Sequence, residues 1–402
     1  MRGNELKPHI GIFGRRNYGK SSLINFITGQ DIAIVSNLAG TTTDPVKKTM
    51  EIGGVGPVVW IDTAGIDDEG AVGEQRIQKS LDILSQSDLA LILFTNNQFD
   101  SEEIALVQHC RQRQIPYVLI YSQSDRSEPN PDLISRIEQD YDTQVFVMTT
   151  LNPDLREPLT SLIRNSLPES AYIHKSLLGD VISAGHTIVL VTPIDSSAPE
   201  GRMILPQVQV LRDIMDHHAT AYFCQPAELA DLLAGLKNPP HLVITDSQAY
   251  AQVAQIVPPH IFLTSFSVVL ARAKGLFSNY VAGTPTIDKL QDGDRVLMLE
   301  SCTHNVTCED IGRVKLPKLL ARHTGKQLLC DTVSGFSNLP HPIHHYALVI
   351  QCGGCVLTAK QIASRLAPAI DAGIPVSNYG LAIAYMNGIF QRSMQIFSNP
   401  QK

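Results

Sequence analysis

Two sets of residues in this 402-residue chain have types and spacings that can do chemistry. The first is Gly14-Arg15-Arg16-Asn17-Tyr18-Gly19-Lys20-Ser21, which fits G-x-x-x-x-G-K-[ST]. Its glycines let backbone N–H groups wrap phosphates, Lys20 reaches the β- and γ-phosphates, and the Ser21 hydroxyl ligates magnesium. Ser22 follows on the same helix end. The second set is Cys302-Thr303-His304 and, 46 residues on (305–350), Gln351-Cys352-Gly353-Gly354-Cys355. Thiolates in such an arrangement hold zinc or an iron–sulfur cluster, or do redox chemistry, and a C-x-x-C alone does not choose among these. The paired glycines let backbone approach a bulky centre, and a following helix N-terminus favours negative charge.

The phosphate loop needs company to act as a nucleotide site. Asp62-Thr63-Ala64-Gly65 follows an apolar run. Asp62 can hold magnesium through water, and the Gly65 N–H can sense a γ-phosphate. Gly40-Thr41-Thr42-Thr43-Asp44-Pro45 lies between the two motifs, as a switch loop does. Thr42 is the candidate to ligate magnesium only when the γ-phosphate is present. Together these read as a P-loop GTPase.

The elements that position these residues follow from the pattern. Apolar strands are expected at His9–Phe13, Val58–Ile61, Leu89–Phe94, Tyr117–Tyr121 and Gln144–Met148. Helices are expected at Ser21–Thr28, Gly73–Ser85, Ser101–Arg113, Pro131–Asp140 and Pro158–Leu167. Strands alternating with helices predict an α/β domain with a parallel sheet covered on both faces. A second alternation runs from Thr187 to Lys274, and a third region carries strands at Arg295–Glu300 and Tyr346–Ile350, each running into a cysteine loop. The expected division is 1–170, 171–274 and 275–402. No internal repeat and no low-complexity tract is visible.

Net charge is −7, with residues 1–170 at −8 and the remainder at +1, so neither part is a basic nucleic-acid surface by composition. No apolar run approaches the roughly 20 residues of a membrane span. Met1–Pro8 is polar, with no apolar signal core, so a cytoplasmic protein with reduced cysteines is expected. Five of the seven cysteines (Cys302, Cys308, Cys330, Cys352, Cys355) cluster late in the chain, which points to metal chemistry there. Cys308 is read as non-ligating, and Cys110, Cys224 and Cys330 as packing residues.

Residues 8–167 resemble the Era/TrmE/EngA group of translation-factor-class GTPases. The resemblance implies that Asn17 coordinates a potassium ion standing where an arginine finger would. Lys20, Asn17 and Gly65 are then the catalytic candidates. Ile66 stands where a water-orienting glutamine would, so a slow, potassium-stimulated hydrolysis of GTP to GDP is implied. The group's Asn-Lys-x-Asp guanine motif appears as Ser122-Gln123-Ser124-Asp125, and its Ser-Ala as Thr149-Thr150. Asp125 can still accept from guanine, but a weakened guanine pocket is expected.

The cysteine spacing resembles C-x-H-x(46–53)-H-C-x-x-C, the signature of the FeFe-hydrogenase maturation GTPases, the HydF family. Gly201–Gln209, Leu242–Gln248, Leu263–Ser267 and Glu309–Lys315 also resemble that family, so the likeness covers nearly the whole chain. It implies GTPase, dimerisation and 4Fe-4S cluster-binding domains in that order, forming dimers that can pair into tetramers. It also implies a scaffold that takes a transient di-iron precursor from the radical-SAM maturases HydE and HydG. That precursor would pass to apo FeFe-hydrogenase, with GTP turnover as a switch. Cys302, Cys352 and Cys355 would hold the cluster, with Glu309 or His304 completing it. The family's second histidine is Gln351 here, a poor iron ligand. Zinc held by three Cys and one His needs about the same residues. A tRNA-modification or ribosome-assembly GTPase carrying a metal site is the alternative function; no membrane or nucleic-acid partner is expected.

Overall fold

The computed structural model describes residues 7–28, 46–52, 56–62, 80–81, 83–168, 171, 176–194, 203–301, 311–335, 337–355 and 357–398. The chain parts into two compact units, Met1–His174 and Lys175–Lys402.

The first unit is built on a six-stranded sheet of β1 (His9–Phe13), β2 (Val46–Ile52), β3 (Gly56–Asp62), β4 (Leu89–Phe94), β5 (Tyr117–Tyr121) and β6 (Val145–Val147). The strand order is β2-β3-β1-β4-β5-β6, and only the edge strand β2 runs antiparallel to its neighbour. Strands β1 and β4 are buried along their whole length, which is why they read as unbroken apolar runs. Helices α1 (Lys20–Thr28), α2 (Ser101–Gln112), α3 (Pro131–Tyr141) and α4 (Arg156–Ser166) alternate with them. Helix α3 starts where Asn130 Oδ1 accepts from the Asp132 N–H at 3.0 Å, with Pro131 in its first turn. It ends at Asp142, in the left-handed region at φ 47°. Of the expected helix Gly73–Ser85, residues 80, 81, 83 and 84 are described and helical.

The second unit holds two four-stranded parallel sheets. One is β7 (Thr187–Val191), β8 (Thr220–Cys224), β9 (Leu242–Thr245) and β10 (Phe262–Ser265), in the order β10-β9-β7-β8. Its helices are α5 (Leu205–Asp216), α6 (Leu229–Gly235), α7 (Tyr250–Ile256) and α8 (Phe266–Ala273). The other sheet is β11 (Arg295–Glu300), β12 (Leu329–Ser334), β13 (Tyr346–Gln351) and β14 (Val376–Asn378), in the order β12-β11-β13-β14. Helices α9 (Phe277–Gly283), α10 (Leu316–Thr324), α11 (Ala359–Asp371), α12 (Tyr379–Met386) and α13 (Phe390–Ser398) accompany it. Ile396 of the last helix packs into the core of the first sheet with Ile188, Leu190 and Phe266. Arg392 anchors that return, donating to the carbonyls of Ala254, Val257 and Pro258 at 2.7–3.0 Å.

The sequence shows no internal repeat, yet the two sheets of this unit share a topology. Counted within each sheet, both have the order second-first-third-fourth. In both, the fourth strand passes through an N-capping Ser265 or Asn378 into an eight-residue helix. Each helix is then followed by a glycine at positive φ and an apolar pair: Gly275 with Leu276-Phe277, and Gly388 with Ile389-Phe390. The repeat survives as topology and a stop signal, with too few shared side chains to show as a sequence period.

Candidate functional site

The phosphate loop leaves the C-terminal end of β1. Gly14 has φ +143°, and a Cβ there would lie 2.7 Å from the Leu93 carbonyl oxygen, so the position takes only glycine. Lys20 opens α1, and its Nζ donates to the carbonyls of Gly14 and Arg15 at 2.7 and 2.8 Å. Ser21 and Ser22 are exposed in the first turn of that helix. Asn17 stands in the left-handed region at φ 63°. Two side chains of the loop are tied outward. Arg15 pairs with Glu103 through two 3.0 Å contacts and with Asp100, and its guanidinium pKa is raised, chiefly by the Glu103 bond. The Tyr18 hydroxyl donates to Gln98 Oε1 at 2.9 Å.

The residues that replace the guanine motif are engaged with this loop. Ser122 Oγ donates to the Tyr18 carbonyl at 2.7 Å, and Gln123 Nε2 to the Asn17 carbonyl at 2.7 Å. Asp125 Oδ1 accepts from Thr149 Oγ1 at 2.5 Å. A cleft results, lined among others by Gly19, Ser22, Ser122, Gln123, Asp125, Arg126, Thr150 and Leu151. The substitutions thus keep the tethers that hold loop and base pocket together, a role the sequence pattern did not reveal. Asp62 closes β3 opposite Ile12. Thr42 and Gly65 lie outside the described residues, as does the side chain of Asp62.

The cysteine loops leave the C-terminal ends of β11 and β13. These are neighbouring parallel strands, and the chain crosses from them in opposite directions, to β12 and to β14. Ligands of open parallel sheets collect at such a reversal. Cys352 Sγ accepts from Ser301 N at 3.2 Å and from Gln351 Nε2 at 3.3 Å, and Ser301 Oγ lies 2.9 Å away. Gly354 turns the loop at φ +64°, and a Cβ there would strike Ile362 Cδ1 at 2.3 Å. Asn378 Nδ2 fixes the carbonyls of Gln351 and Cys352 at 3.1 and 3.2 Å. Helix α11 follows, capped reciprocally by Thr358 and Gln361.

Helix α11 also carries Arg365, which ties the ends of β11 and β12 together. Arg365 donates to the carbonyls of Glu300 and Val333 at 2.6 and 2.8 Å. Burial lowers its pKa, against the opposing pull of Cys352, Tyr379 and Glu300. Glu300 Oε2 is itself taken by Arg313 at 3.1 and 3.2 Å and by Ser334 at 2.8 Å. By contrast the Cys330 thiol, on β12, is pushed up to about 11 by burial, the mark of a packing cysteine. Cys302, His304 and Glu309 lie outside the described residues, and among the described residues no three His, Cys, Asp or Glu converge as a metal site. What is described fits a metal-held thiolate in one respect: N–H donors are aimed at Cys352 Sγ.

Comparison with known proteins decides the family. Residues 177–275 match the hydrogen maturase F dimerization domain, and residues 278–396 match the hydrogen maturase F tetramerization domain. The chain belongs to the hydrogen maturase F family. Ahead of those two domains, residues 9–123 match the 50S ribosome-binding GTPase family, so this hydrogen maturase F chain carries a GTPase domain. The tRNA modification GTPase MnmE of Chromobacterium violaceum is 38% identical over 120 residues, covering 30% of this chain and 26% of the relative. MnmE of Nitrosomonas europaea is 30% identical over 181 residues, covering 44% and 38%. The chain spans well under half the length of these relatives. Among solved structures, Era of Aquifex aeolicus bound to GDP·AlF4− is similar at 16% identity over 54% of this chain and 92% of that one, with a TM-score of 0.34.

Proposed function

We propose that this chain is a GTP-binding iron–sulfur scaffold and carrier. It would hold a 4Fe-4S cluster on Cys302, Cys352 and Cys355, with Glu309 or His304 completing the set. It would receive a di-iron precursor from the radical-SAM maturases HydE and HydG and deliver it to apo FeFe-hydrogenase. The observation that carries the cluster reading is the convergence of N–H and O–H donors on Cys352 Sγ at the strand reversal of the third sheet. A bound cluster would supply an iron able to take a bridging ligand. The chain's own residues would fix the sulfur and screen its charge.

The nucleotide side of the proposal places GTP on Gly14, Asn17, Gly19, Lys20, Ser21, Ser22, Gly65 and Asp125. Magnesium would lie on Ser21 and Thr42, with Asp62 behind water. Hydrolysis to GDP would be slow, with Lys20, Asn17 and Gly65 as the catalytic groups and potassium on Asn17. A switch loop ordered by the γ-phosphate can bias an interface, and GTP turnover would act in that way. The division 1–170, 171–274 and 275–402 and a cytoplasmic location belong to the same reading; no described helix is long and apolar enough to cross a membrane. Similarity to MnmE covers 30% and 44% of this chain in the two relatives above, whereas the hydrogen maturase F domains match residues 177–275 and 278–396, which favours the hydrogenase-maturation reading over the tRNA-modification alternative.

Anaerobic reconstitution of the full chain with iron and sulfide, followed by metal analysis and EPR, tests the proposal. About four irons per chain are expected. Zinc in place of iron, or RNA retained at stoichiometric level, would sink it. In the same preparation GTP turnover should be faster in potassium than in sodium, and equal rates would remove Asn17 from the site.

Self-association has its own support. Strand β8 is a sheet edge, and Tyr222 and Phe223 on it are each 40% exposed. Met215 and Val208 of α5 are exposed as well. An open strand edge carrying apolar side chains is a template for pairing, and a second copy of the chain would cover it. Phe223→Lys should halve the solution mass by light scattering; an unchanged mass would move the dimer contact elsewhere.

A further inference from the structure

We propose that Gln351 positions and polarises the Cys352 sulfur, donating its side-chain N–H both directly to Sγ and to Ser301 Oγ, and so raises the reduction potential of a cluster held there. The inference rests on the cluster reading above and concerns what sets the electronics of that site.

The side chain of Gln351 is wholly buried. Its backbone is held on both flanks, against Leu299 of β11 and against Asn378 of β14. Nε2 lies 3.1 Å from Ser301 Oγ, 3.3 Å from the Cys352 carbonyl oxygen and 3.3 Å from Cys352 Sγ. The carbonyl can only accept, and a thiolate can only accept. Flipping the amide would put its oxygen against both, so the chemistry of the neighbours fixes which end is nitrogen.

A metal-held thiolate can only accept, so in the cluster-bound protein the Ser301 hydroxyl, 2.9 Å from Cys352 Sγ, donates to the sulfur. The Ser301 backbone N–H adds a third donor at 3.2 Å. All three point the same way, toward the sulfur. The amide accepts a cost for this arrangement. Gln351 Oε1 is buried with no partner among the described residues. An unsatisfied buried acceptor is destabilising. A leucine of similar size would avoid that cost, so the residue is explained by what its nitrogen does.

Hydrogen bonds to a cluster thiolate withdraw charge from sulfur. The extra electron of the reduced cluster gains from this more than the oxidised form does. Removing the donor therefore lowers the potential without removing a ligand.

The full chain, its Gln351→Leu variant and its Ser301→Ala variant would each be reconstituted anaerobically with iron and sulfide. Iron and sulfide per chain and the EPR-monitored midpoint potential would then be measured. Gln351→Leu should keep wild-type iron while its reduced-to-oxidised ratio falls about tenfold at a fixed potential, a midpoint shift of about 59 mV downward for one electron. Ser301→Ala should shift in the same direction, and the double variant by less than the sum, because the amide acts partly through the serine. An unchanged midpoint in Gln351→Leu overturns the inference. Loss of iron from Gln351→Leu with Ser301→Ala fully loaded overturns it also, since the amide would then be a ligand. Wild-type chain that takes up no cluster overturns the cluster reading and this inference together, so the wild-type arm separates the two failures.

Discussion

Cys352→Ala, reconstituted beside the wild type, should lose its cluster and hold only background iron, whereas Cys330→Ala should load as the wild type does. The contrast follows from where the two thiols sit. Cys352 leaves the end of a central strand at the reversal of the sheet, and three donors meet its sulfur. Its backbone N–H is held by the Leu299 carbonyl at 2.9 Å, so the residue is fixed whether or not a metal is bound. On the proposed ligand set, removing this thiolate would leave two cysteines, too few to hold a cubane whose fourth position would be a weak donor. Cys330 lies within edge strand β12, packed against the core of its sheet, with its thiol held protonated by burial. A Cys352→Ala chain with wild-type iron would end the assignment. So would equal loss in both variants, because iron would then be tracking general stability.

Much of this architecture was legible in the residues, and the parts that were not share a physical cause. Strands β1, β4, β5 and β11 follow the apolar runs residue for residue. Strand β2, Val-Lys-Lys-Thr-Met-Glu-Ile, was missed because an antiparallel edge strand has no need of a continuous apolar run. Strand β14 has only three residues, too short to carry a period. Helix α12 is buried on nearly every side, so it shows no amphipathic stripe to read. The phosphate loop was plain because its chemistry is local. The surroundings of Cys352 were not, because Ser301 reaches the sulfur only through the pairing of β11 with β13, where Leu299 faces Gln351. The tethers from Ser122 and Gln123 to the phosphate loop join segments more than a hundred residues apart, and no spacing rule predicts them.

Those tethers bear on the second large effect, expected at Asp125. Asp125→Ala should weaken GTP binding by about 10²-fold, measured with a fluorescent GTP analogue, and leave any binding of ATP unchanged. A carboxylate accepting two N–H groups of guanine makes two charge-assisted bonds, each about 1.5–3 kcal/mol when well placed. The site is open to solvent, so the lower end applies and the pair contributes about 3 kcal/mol. Ser122 and Gln123 stand where the resembled motif has Asn and Lys, and the geometry keeps this contribution available. Ser122 holds the Tyr18 carbonyl and Gln123 holds the Asn17 carbonyl, so the strand end that presents Asp125 is still fixed to the phosphate loop. Thr149 donates to one carboxylate oxygen and orients the group, as a hydroxyl at that place should. Asp125→Asn turns one acceptor into a donor. It should therefore reject guanine as strongly as alanine does, while favouring a base that carries oxygen in place of the 2-amino group. Equal affinity for GTP in the wild type and both variants would mean that the base is held elsewhere and that the chain reads only phosphates.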